Sequence, residues 1–124
     1  MEDLLPATES QTAALFAANF AELLHEHKGQ DVSVLDLRGI SNWTDFFVIA
    51  TTSSKTHMDG LERHIKEFCR EKNIDMFGSL KPGKSGDDEW RIIDIGWVII
   101  HLMTKQAREF YELERLWRPI NNAG

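Results

Sequence analysis

The chain has 124 residues, 42% of them apolar, a size that suits one compact domain able to form a core without a disulfide or a metal. Fourteen basic against 20 acidic residues give a net charge of −6, which argues against a phosphate-tracking nucleic-acid binder and suits contact with a basic protein. The lone Cys69 excludes an internal disulfide framework and fits a reducing compartment. No apolar run approaches the roughly 20 residues of a membrane span, and the start MEDLLPATES resembles neither a signal nor a transit peptide. The expectation is one cytoplasmic domain over residues 1–124, with its core at about 10–118.

Residues 10–28 read as the first helix, with Thr8 and Gln11 at capping-box spacing and Gly29 placed to end it. Phe16, Phe20, Leu23 and Leu24 form its apolar stripe. Residues 32–37 change to the period of a strand, Gly39-Ile40-Ser41-Asn42 supplies a turn, and Phe46–Thr52 is a second strand rich in β-formers. Ser53 and Ser54 offer caps for a helix to about Lys72, whose core face is Met58, Leu61, Ile65 and Phe68, with Cys69 beside them. A short strand is expected at 74–77, then a Gly/Lys/Ser loop over 78–86. Residues 89–94 and 97–103 form a strand pair joined at Ile95-Gly96, in a type II or bulged turn. Thr104 caps a last helix running to Trp117, before Pro119. The predicted order is α-β-β-α-β-β-β-α.

Gly78-x-x-x-x-Gly83-Lys84-Ser85 matches the phosphate-binding loop pattern. That chemistry needs a helix N-terminus directly behind the loop, and here a strand begins within five residues of Ser85. The preferred reading is a flexible connection, with a nucleotide-binding enzyme using Gly78–Ser85 as the alternative. Asp87-Asp88-Glu89 offers carboxylates to magnesium, but consecutive acids in a Gly-rich loop are more often solvated. His25 and His27 point about 200° apart on a helix, and His57 and His64 lie about 10 Å apart along one, so neither pair shares a metal. Asp36, Asp94 and His101 are polar residues within apolar strands. Neighbouring strands would make them an acid–base set, but mutual or backbone hydrogen bonding is preferred, since no nucleophile or metal set accompanies them. Phe110, Leu113 and Trp117 share one helical face and are expected in the core. Tyr111 falls off that stripe, and with Trp90 and Trp97 it points either to an interface or to cover for a sheet edge.

Several segments together resemble the Iojap family, the ribosomal silencing factors (RsfS). They are Asp36-Leu37-Arg38-Gly39, Thr44-Asp45-Phe46-Phe47-Val48-Ile49-Ala50-Thr51 and Ser53-Ser54. Next come Trp90-Arg91-Ile92-Ile93-Asp94-Ile95-Gly96 and Val98-Ile99-Ile100-His101, then Arg108-Glu109-Phe110-Tyr111-Glu112-Leu113-Glu114-Arg115-Leu116-Trp117. Coverage runs over about 13–117. The resemblance implies an α/β domain with a mixed sheet of about five strands flanked by helices, similar to nucleotidyltransferases but without their catalytic carboxylates. It implies a non-enzyme without cofactor or metal. Such a protein binds the large ribosomal subunit through its ribosomal protein fourteen and sterically blocks joining to the small subunit, repressing translation when nutrients are scarce. Neither sequence-specific nucleic acid nor membrane is an expected partner, and a homodimer of the free chain is a further reading. Carried over residue by residue, the interface would comprise Trp90 and Tyr111 as aromatic anchors and Met103 as an adaptable apolar contact. Asp94 and Arg108 would supply orienting charge, or Asp94 would instead hold the hairpin turn.

Overall fold

The computed structural model describes residues 9–81 and 89–116. Its elements are α1 (Glu9–Glu26), β1 (Gln30–Asp36), β2 (Phe46–Thr52), α2 (Lys55–Lys72), β3 (Gly78–Leu80), β4 (Trp90–Asp94), β5 (Val98–Thr104), α3 (Lys105–Tyr111) and α4 (Leu113–Leu116). The five strands form one mixed sheet in the order β1-β2-β5-β4-β3. β2 and β5 are parallel at its centre, and every other neighbouring pair is antiparallel. Central strands lose both faces to the interior, so β2 is buried throughout and β5 up to its last residue.

Alternation along the strands divides the core in two. On one face, Phe46, Val48, Ala50, Val98, Ile100 and Leu102 meet Phe20 and Leu24 of α1 and Met58, Leu61 and Ile65 of α2. The other face carries Phe47, Ile49, Ile99 and Met103 under the much shorter α3 and α4, with Ala107 and Leu113 as their buried contributions. One face therefore lies under two 18-residue helices, while the other has only 7- and 4-residue helices on it.

Local chemistry accounts for the boundaries. Ser54 caps α2, its hydroxyl accepting from the His57 N–H at 3.0 Å, and Asn73 closes that helix in the left-handed region at φ 56°; such an N-cap is worth about 1 kcal/mol. The end of α1 departs from expectation: Lys28 takes the positive φ. Gly29 is needed for closeness, because a Cβ there would lie 2.8 Å from the Leu24 carbonyl oxygen. The expected Thr8 cap lies outside the described residues. The third strand falls at Gly78–Leu80, because Ile74 and Met76 turn inward against the first core instead of pairing.

The β4–β5 connection also differs by one residue. Asp94 pairs with Ile99 and the Ile95 N–H donates to the Val98 carbonyl at 3.0 Å, so the loop residues are Gly96 and Trp97. Gly96 has φ +92°, the sign pattern of a type II′ turn, which demands glycine at its first loop position. The last helix is broken at Glu112, which adopts φ 48° and ψ 50°. The break changes the helical phase beyond residue 112: Leu113 is buried, whereas Phe110, expected in the core, is 78% exposed. Trp117 lies outside the described residues.

Candidate functional site

The sheet face under α3 and α4 carries a chain of aromatic rings. Trp43, in the loop before β2, lies 5.9 Å from Phe47, centroid to centroid. Phe47 meets His101 edge-on at 4.4 Å, and His101 is followed by Trp90 at 5.9 Å. Trp90 lies 4.6 Å from Tyr111, tilted by 44°, and Tyr111 meets Phe110 at 4.9 Å. Strand alternation produces the middle of this strip: Phe47, His101 and Trp90 project from β2, β5 and β4 to the same side. Its two ends are open to solvent, with Trp43 57% and Phe110 78% exposed.

His101 is its buried centre. Trp90 Nε1 donates to His101 Nδ1 at 3.0 Å. An indole N–H can only donate, so Nδ1 is the unprotonated nitrogen and the imidazole proton sits on Nε2. Burial pushes the His101 pKa down to about 4, which keeps the ring neutral at physiological pH.

Asp94 engages its own hairpin through its carboxylate. Its Oδ1 accepts the Gly96 N–H at 2.8 Å and its carbonyl accepts the Phe77 N–H at 2.7 Å. It holds the hairpin turn, the second of the two roles expected of it. Arg108, expected to supply orienting charge, spends its donors within the chain. Nη1 donates to the Asp31 carbonyl at 2.6 Å and to Thr51 Oγ1 at 3.0 Å. Nη2 donates to Ser33 Oγ at 3.2 Å and Glu114 Oε2 at 2.9 Å, and Nε donates to Glu114 Oε1 at 3.1 Å. Arg108 is thus a clamp binding α3 and α4 to β1 and β2, and it holds the Glu114 carboxyl below the usual carboxylate range. Met103 is fully buried. Opposite Trp90 in the sheet, it supports the strip from within and presents no surface, contrary to the expected apolar contact.

Asp36, Asp94 and His101 do not converge on one another. Asp36 pairs with Arg38 at 2.7 Å on the surface, and the guanidinium hydrogen bond lowers its carboxyl pKa. The histidines of α2 serve the helix junction. His57 accepts the Ser53 N–H on Nδ1 and donates from Nε2 to the His27 carbonyl, both at 3.0 Å, while His64 stacks on His27 at 3.6 Å. Cys69 is core packing, its thiol pushed up to about 11 by burial. Among the described residues no group of three His, Cys, Asp or Glu side chains could hold a metal, and no helix is long and apolar enough to cross a membrane. Residues 82–88, with most of the Gly78–Ser85 motif, Asp87 and Asp88, lie outside the described residues. β4 begins at Trp90.

Sequence reasoning missed Phe47, Trp43 and Phe110 as members of the strip. Period-2 alternation was the available signal for Phe47, which shares its face with Ile49. Phe110 was assigned to the core from a stripe it shares with Leu113, and the break at Glu112 separates the two.

Known proteins are similar to this chain in sequence and fold. A Treponema pallidum protein named ribosomal silencing factor RsfS is 35% identical over 102 residues, covering 82% of this chain and 89% of its own. The Haemophilus influenzae protein of the same name is 35% identical over 96 residues, covering 77% and 91%. A mouse protein named mitochondrial assembly of ribosomal large subunit protein 1 is 32% identical over 96 residues, 77% of this chain but 42% of that protein. A crystal structure from Chromobacterium violaceum superposes with a TM-score of 0.73 at 27% identity, covering 89% of this chain and 87% of that one. Residues 9–123 match the family described as ribosomal silencing factor during starvation, and the chain belongs to that family.

Proposed function

We propose that this protein binds the large ribosomal subunit through its ribosomal protein fourteen and, seated there, blocks joining to the small subunit, lowering translation when nutrients are scarce. The mechanism is steric: position and affinity carry it, and no bond is made or broken. Membership of the silencing-factor family supports the reading, as does the large-subunit assembly role in the name of the mouse relative. The net charge of −6 suits a basic ribosomal protein. The cytoplasm is the corresponding location.

The observation that carries the proposal is the Trp90–Tyr111 pair on the thinly covered sheet face. Tyr and Trp dominate binding hot spots because they combine a large rigid area with a polar edge. Here the pair is held from beneath by Met103 and His101. In this account Trp90 and Tyr111 are the anchors, while Asp94 and Arg108 keep the hairpin and α3 in place around them. The test is binding of Trp90→Ala and Tyr111→Ala to purified large subunits. Folded variants that bind as the unmodified chain does would refute this interface.

A further inference from the structure

We infer that His101 is a positioning residue for the Trp90 anchor, its Nδ1 holding the indole so that Trp90 and Tyr111 form one prearranged docking surface. The inference rests on the reading of this face proposed above and adds a residue that never has to touch the partner.

Three observations lead to it. First, the hydrogen bond from Trp90 Nε1 to His101 Nδ1, at 3.0 Å, has one possible direction. Second, that direction leaves the proton on Nε2, which is buried without a hydrogen-bond partner among the described residues. An orphaned buried donor is costly, and an aliphatic side chain at 101 would escape that cost. The surroundings make no other use of the ring's polarity: Ile49 and Ile92 lie opposite His101 on β2 and β4, and Phe47 meets it edge-on. Third, the torsion that turns an indole is broad and roughly two-fold, so the hydrogen bond to Nδ1 selects one of its orientations. Reversing the ring would withdraw the N–H from Nδ1 and change the face shown to Tyr111, 4.6 Å away. A ring already fixed in its bound orientation loses less entropy on docking.

The experiment compares His101→Leu, which removes the acceptor, with His101→Asn, whose Oδ1 restores one near the Nδ1 position. Each is also placed in a Trp90→Phe background, which lacks the donor. Affinity for purified large subunits is measured at pH 7.5, alongside the Trp90 indole N–H resonance of the free protein. We expect His101→Leu to weaken binding about tenfold, the scale of one hydrogen bond, and to move the indole resonance. His101→Asn should restore affinity to within about threefold, and His101→Leu should cost nothing further in Trp90→Phe. Equal losses in Leu and Asn, unchanged binding in Leu, or an undiminished loss in the Trp90→Phe background would each overturn the inference. If His101→Leu fails to fold, His101→Gln takes its place, with its carbonyl one bond too far out. Retention in Asn with loss in Gln supports the inference, and any other order overturns it. An unmodified chain that fails to bind large subunits refutes the underlying reading; binding with the wrong variant pattern refutes the positioning role alone.

Discussion

Trp90 and Tyr111 come from different elements, yet their rings lie 4.6 Å apart. The contact joins β4 to α3. Such a pair is worth about 1 kcal/mol to the fold beyond its buried area. Under the proposed function its larger consequence is in binding. Tyr111→Ala removes a 40% exposed ring, so the melting temperature should fall by only a few degrees. Affinity for the large subunit should fall by about thirtyfold or more, the hot-spot scale. Titration of labelled protein against purified subunits checks this.

Acid should weaken the fold in two stages. His101 is lowered from 6.5 to about 4 by burial, so between those values the unfolded chain binds a proton that the folded chain refuses. Stability is therefore full above pH 6.5 and declines as pH falls toward 4, by up to about 3 kcal/mol. Asp59 is lowered to about 2, chiefly by its hydrogen bond from Arg91. Its contribution is present above the ordinary carboxylate pKa and is lost as pH falls from there toward 2. Urea unfolding at pH 7.5, 5.5 and 4.5 should show the first stage, and His101→Asn should abolish it.

Arg91 ties β4 to α2 on the opposite sheet face. Its Nη1 donates to Asp59 Oδ1 at 2.6 Å and Glu62 Oε1 at 2.9 Å, with Arg91 itself only 3% exposed. Arg91→Ala leaves the nearly buried Glu62 without its strongest partner and should cost about 3–5 kcal/mol. Denaturant unfolding measures this, and Glu62→Gln in the same background should recover part of the loss.

Gly29→Ala should destabilise by about 1–3 kcal/mol, the scale of overpacking. The obstacle, the Leu24 carbonyl oxygen at 2.8 Å, is backbone and also accepts the Gly29 N–H. A change in unfolding midpoint without a change in the denaturant slope would identify a simple loss of native-state stability.

The parts of the fold legible in the sequence were those set by nearby residues. β2 occupies Phe46–Thr52 as its β-formers require, and α2 runs from the Ser54 cap to Lys72. Family segments led to the mixed five-stranded sheet and to Trp90 and Tyr111. The C-terminal helix differs from its sequence pattern because its break has a distant cause. Glu112 is neither Gly nor Pro, yet it turns left-handed while Leu113 is buried and Glu114 engages Arg108 and Ser33. Ser33 is 81 positions away from Glu114 in the chain, beyond any local pattern. Arg108 and Met103 were placed in an interface by the family resemblance, not by their local sequence. Their residue types allow either role, and only the sheet register and the position of α3 turn them inward.

Occlusion of the large subunit is the central claim, and a subunit-joining assay tests it most directly. Purified protein is incubated with large subunits, small subunits are added, and the products are separated by sedimentation. The protein should pellet with large subunits and not with small ones, and joined ribosomes should fall as protein rises toward saturation. Undiminished joining at saturating protein, or equal binding to both subunits, would contradict occlusion.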